Sequence, residues 1–119
     1  MRKADQGISM KQIADTRGRT GMEGVLKDIG RERCRQQEEE GWTAEHDDGQ
    51  ELGEMAAAAG CYALQATENY EGAAGRVPDE WPWDAEWWKP RDRRRDLIRA
   101  AALIVAEVER LDRAAKGRT

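Results

Sequence analysis

Between residues 91 and 115, Leu97, Ala101, Ile104, Val108 and Leu111 recur at a strict alternation of four and three residues, with Ile98, Ala102 and Val105 broadening the row. A helix turns about 100° per residue, so this spacing collects the apolar side chains on one face, as an extended strand does not. A helix with an apolar face has to bury it against another element. The row therefore predicts a long helix, the main core helix of an all-α fold.

Two earlier segments carry the same period. In Gly21–Gly41, Met22, Val25, Leu26 and Ile29 fall at helical spacing, after which the sequence is almost entirely charged and ends on Glu38, Glu39 and Glu40. Acids oppose the dipole at a helix C-terminus, so this end is expected to fray or to lean on basic groups. A second helix is expected from the 42–48 segment, where Thr43, Asp47 and Asp48 are cap candidates. Its apolar stripe is Leu52, Met55, Ala59, Tyr62 and Ala66, with Asp48 at the head, and the run Ala56-Ala57-Ala58-Ala59-Gly60 leaves room for another helix to approach closely. Residues 69–90 form a long connection holding all three prolines. That length lets the last helix return antiparallel to the second. The expected architecture is a small antiparallel helical bundle of three main helices with a long Trp-rich loop: residues 1–20 a flexible arm, residues 21–119 a single helical domain.

Large side chains are scarce for such a bundle. The chain has 119 residues and no Phe, and much of its 39% hydrophobic content is Ala. One copy would have a thin core, which points to completion by homo-oligomerisation. The net charge of −4 opposes strong non-specific binding to nucleic acid. No apolar run is long enough for a membrane span and none resembles a signal peptide, so a cytoplasmic protein is expected. Cys34 and Cys61 lack CxxC spacing and read as free thiols. The sole histidine, His46, has no evident catalytic partner.

Three groups of residues are candidates for chemistry. Four of five tryptophans, Trp81, Trp83, Trp87 and Trp88, fall within eight residues. So much indole surface in a loop is either folded over the open end of the bundle, with Trp42 beneath it, or offered to a ligand. Beside it, Lys89, Arg91, Arg93, Arg94 and Arg95 stand at the start of the last helix. Arg93 and Arg94 share the side of the Leu97 row, so an inward Arg pairing with Asp48 or Glu51 is one expectation and an anion site at a helix start is the other. The third group is acidic, with Glu45, Asp47, Asp48, Glu51 and Glu54 around one helix start and Asp92 and Asp96 at another. Carboxylates converging from two helices can hold Mg²⁺, whereas acids at helix starts otherwise compensate the dipole in solvent.

The segments GWTAEHDD, GEMAAAA-CYA, WPWDAEWWKP and DRRRDLIRAAALIVAEVERLDR, read together over about Arg31 to Arg113, resemble an uncharacterised family of short phage and prophage proteins. That resemblance implies action in the cytoplasm of a bacterial host cell. Family members carry a His at the position of Gln50 and a Leu at that of Met55. More distantly, the Glu51-x-x-Glu54 helix is similar to the MazG-like all-α nucleoside triphosphate pyrophosphohydrolases, whose E-E-x-x-E helix and later E-x-x-D pair hold Mg²⁺. That similarity would cast Asp48, Glu51 and Glu54 as catalytic acids, with Asp92 and Asp96 as further metal ligands. Two functional expectations follow. The favoured one is a small binding protein, with host-defence antagonism as a role, that captures a host protein or a nucleotide through a surface of Trp81, Trp83, Trp87, Trp88, Lys89, Arg91, Arg93 and Arg94. The alternative is a Mg²⁺-dependent nucleotide pyrophosphohydrolase.

Overall fold

The computed structural model describes residues 21–67 and 76–117, so the expected arm over residues 1–20 lies outside it. The described residues are all-helical, without strands. They form α1 (Met22–Glu39), α2 (Ala44–Asp48), α3 (Glu54–Gln65), a 3₁₀ turn (Ala85–Trp87) and α4 (Arg93–Gly117). No helix among them is long and apolar enough to cross a membrane.

Two glycines set the course of the chain between helices. Gly41, at φ 73°, occupies the left-handed region that side chains disfavour, and it turns the backbone so that the Trp42 N–H reaches the Gln36 carbonyl at 3.1 Å. Trp42 is thereby set beside the end of α1. Thr43 caps α2 by accepting the His46 N–H at 3.2 Å. Gly53, at φ 84°, then separates α2 from α3, so the second helix expected from the sequence is two helices. Leu52 lies in the link and is 91% exposed, outside the stripe it was expected to join. The rest of that stripe is buried as its spacing requires: Met55, Ala59, Tyr62 and Ala66, joined by Ala58 and Cys61.

Side-chain pairs fix the directions. Arg93 reaches the Ala66 carbonyl, Arg99 the Tyr62 hydroxyl and Arg113 the Asp48 carboxylate, so α4 runs antiparallel to the α2–α3 segment as expected. Helix α1 runs in the same sense as α4: Asp28 holds Arg94, Glu32 faces Arg95 and Arg99, and Arg33 reaches Glu109. The core between α3 and α4 is Met55, Ala58, Ala59, Cys61 and Tyr62 against Ala100, Leu103 and Ala106, closed by Trp81. Alanines on both helices allow a close approach. Leu103, with no exposed surface, contributes about 1.5–3 kcal/mol by burial.

The packed face of α4 is not the one its main row predicts. Leu97, Ile104, Val108 and Leu111 remain 48, 52, 50 and 50% exposed, whereas Ile98, Ala102, Leu103 and Ala106 are buried on the other side of the helix. Both sides of α4 are apolar, and the side with smaller residues fits the alanines of α3. Helix α1 shows a related inversion. Met22, Val25 and Leu26 are exposed, while the face turned inward carries Asp28, Glu32, Arg33 and Gln36. Ion pairs and hydrogen bonds join α1 to α4 in place of the apolar contact expected from its period.

Candidate functional site

The tryptophan run divides into a buried half and an open half. Trp81 is buried, with its indole N–H donating to the Asp84 carbonyl at 3.0 Å. It meets Tyr62 and Trp88 at centroid distances of 5.6 and 4.9 Å, and Trp88 stacks on Tyr62 at 4.7 Å. These rings close the core. Trp83 continues the cluster outward, 5.3 Å from Trp81 and 5.2 Å from Trp42, and donates its indole N–H to Gln50 Oε1 at 2.8 Å. Trp42 lies parallel to the His46 ring at 6.1 Å. Trp87 is 38% exposed, with Lys89 Nζ 5.4 Å from its ring centre. The outer rings wall a cleft of about 480 Å³ lined by Glu40, Trp42, His46, Gln50, Pro82, Trp83, Asp84 and Trp87. The rings that close the core and the rings that wall the cleft are thus different tryptophans.

The arginines do not join this cleft, whose lining contains no Lys or Arg. Arg94 donates to Asp28 at 2.7 Å, Arg95 lies 3.5 Å from Glu32, and Arg93 donates to the Ala66 carbonyl at 2.7 Å. The expected pairing of Arg93 or Arg94 with Asp48 or Glu51 is replaced by contacts with α1 and the end of α3. The backbone N–H of Arg91 is taken by Asp96 and that of Arg95 by Asp92, so these acids cap the start of α4. Burial pushes the Asp96 carboxyl above its usual range, offset in part by the Arg91 N–H and Arg99.

The acids proposed for Mg²⁺ are not brought together. Asp48 pairs with Arg113, and Glu51 lines the same shallow region beside Arg110. Glu54 accepts the Leu52 N–H at 2.9 Å. Arg113 and Asp92 lie near opposite ends of α4, which at 1.5 Å per residue puts the two acidic groups roughly 30 Å apart. Among the described residues no group of three or more His, Cys, Asp and Glu is arranged to hold a metal ion.

Sequence reasoning missed the polar network under the cleft. Asp47 is fully buried and receives Arg33 Nη2 at 3.0 Å, while its other oxygen lies 3.2 Å from His46 Nδ1. Arg33 also reaches Glu109 at 3.1 Å, so one guanidinium ties α1, α2 and α4 together. Beside it, burial raises the cost of ionising Glu32, but hydrogen bonds from Arg35 and the charges of Arg95 and Arg99 outweigh this and hold its carboxyl below the usual range. Arg35 also binds Glu40 at 3.0 Å, which gives the acidic end of α1 its basic partner. Arg99 was legible as inward only if the Leu103 side of α4 had been chosen as the packed one. Comparison of the chain with family models, with curated proteins and with solved structures finds no match.

Proposed function

We propose that this is a small binding protein that captures a partner protein by seating a cationic side chain of that partner in the cleft of Trp42, Trp83 and Trp87. The observation that carries the reading is the chemistry of the lining: aromatic faces with Asp84 and Glu40, the latter paired with Arg35 from outside the lining, as its only charged groups of fixed sign. An ammonium or guanidinium over an indole gains roughly 0.5–2 kcal/mol per contact, more as water is excluded. A phosphate would find no cation in the lining itself, the nearby Lys89 and Arg35 being engaged over Trp87 and on Glu40. The buried Asp47–Arg33 pair holds α2, and with it His46, which supports a preformed site. The likeness to phage and prophage proteins makes a protein of the bacterial host the natural partner and antagonism of host defence the natural outcome. Homo-oligomerisation is a separate part of this reading and uses a different surface. The pyrophosphohydrolase alternative has less support, because its two acid pairs stand at opposite ends of α4.

Titration of tryptophan fluorescence tests the proposal. Arg-rich and trimethyllysine peptides are expected to shift the emission saturably, and Trp87→Ala or Asp84→Asn to weaken that response. A saturable response to ATP or dATP with none to cationic peptides would overturn it. Release of pyrophosphate from nucleotides with Mg²⁺ would restore the enzyme reading.

A further inference from the structure

Helix α4 has one apolar side too many for a single copy. Its inner side packs on α1 and α3, and directly behind it runs the row Leu97, Ala101, Ile104, Val108 and Leu111, to which Val105 adds a 38% exposed side chain. A helix apolar on both sides is normally covered on both. Within the described residues nothing covers the outer row: its four large members are each about half exposed.

We infer that this row is the seat of a second copy of the same chain, with two α4 helices packed antiparallel about a two-fold axis near Ile104. Three observations select that occupant. The four-three alternation is the seam spacing of paired helices, in which each side chain drops between four of the facing helix. The row is also nearly symmetric end to end, with Leu97 and Leu111 at its limits and Ile104 at its centre. Reversal therefore brings apolar residues onto apolar residues, as an isologous contact requires. Charge gives the direction. Arg94, whose guanidinium holds Asp28 while its side chain remains 58% exposed, and the exposed Asp112 stand on the same edge of the row at its two ends, and antiparallel order brings Arg94 of each copy near Asp112 of the other. Parallel order would leave Arg94 of neither copy beside an Asp112.

The area is adequate for such a contact. The row extends about 21 Å along a helix about 10 Å wide. The projected footprint is roughly 210 Å² per copy, which with side-chain relief corresponds to on the order of 500 Å² of accessible surface per copy, about 1,000 Å² in total, in the range of weak or transient interfaces. A weak, concentration-dependent dimer is expected, its affinity set by packing quality and not by area alone. The contact also uses the half-exposed leucines, isoleucine and valines that the thin core of one copy leaves unburied. It lies on the side of α4 away from α3, so the Trp42/Trp83/Trp87 cleft remains open in each copy.

Sedimentation of the full chain over a range of concentrations tests the inference. Wild type is expected to pass from monomer to dimer in the micromolar range. Ile104→Glu and Val108→Glu, on the solvent side of the helix, should keep the far-ultraviolet helical signal and weaken association by about a hundredfold or more. Ile104→Cys should form a disulfide-linked dimer under mild oxidation, because its two copies meet at the axis, whereas Glu51→Cys should not. A wild-type chain that stays monomeric well above micromolar concentration would overturn the inference. So would a dimer unaffected by both glutamate substitutions. A dimer sensitive to them in which Ile104→Cys does not cross-link would refute the antiparallel register.

Discussion

The ion pair beneath the aromatic cleft gives the sharpest test of how the small domain is held together. In Asp47→Ala the carboxylate is removed from a site with no exposed surface, leaving Arg33, whose side chain is only 8% exposed, without its buried partner. Breaking a buried pair on one side costs about 3–5 kcal/mol, because a charge remains desolvated without compensation. Glu109 still reaches Arg33 at 3.1 Å, but it is 49% exposed and screened by water, so it recovers about 1 kcal/mol. The expected net loss is about 2–4 kcal/mol, a large part of the 5–15 kcal/mol typical of a domain. At about 4–8 °C per kcal/mol for a domain of this order of size, Tm falls by roughly 10–30 °C. Urea and thermal unfolding followed by circular dichroism provide the measurement. Arg33→Met combined with Asp47→Leu removes both charges and should recover most of the loss. The cleft should respond as well, since α2 carries His46 and follows Trp42: cationic peptides are expected to bind Asp47→Ala more weakly even below its Tm. A loss under about 1 kcal/mol in Asp47→Ala, with no recovery in the double variant, would refute the view that this pair braces α1, α2 and α4.

Two further outcomes are expected. Glu32 has a folded-state pKa below its ordinary 4.5, so its contribution is fully present above that value and is lost as pH falls through the folded value. Glu32→Gln should therefore destabilise by about 2–4 kcal/mol at neutral pH, and its deficit should shrink in urea titrations carried to progressively lower pH. The tryptophans should separate by burial: Trp81→Ala is expected to cost about 3–5 kcal/mol in urea unfolding, whereas Trp87→Ala should cost less than about 1 kcal/mol and act on binding instead.

Periodicity made the helical class legible, because a repeat of three and four residues is a property of the local chain and requires no partner. For the same reason the stripe of Met55, Ala59, Tyr62 and Ala66 could be read directly and is buried. The division of α2 from α3 was less visible, since it depends on Gly53 adopting a left-handed conformation in a segment that also scans as helix. The aromatic cap was partly legible: a cluster of indoles must be covered or used, and Trp81 and Trp88 are covered while Trp87 stays open. Which tryptophan took which part depended on the position of Tyr62 and Gln50 in another segment.

The sequence by itself determined that α4 is a helix with apolar residues on two sides, but only the tertiary structure decided which side faces inward. That choice is made by the fit between the alanines of α3 and the smaller side of α4, a property of two surfaces together. The charged contacts of α4 then follow from it. With the Leu97 row turned out, Arg99 points inward to Tyr62, Arg94 and Arg95 turn to α1, and the acids at the two ends of α4 stay far apart. Composition points to a core rich in Ala and poor in large apolar side chains. The fold leaves a continuous apolar row on one face of α4, with Met22, Val25 and Leu26 exposed separately on α1.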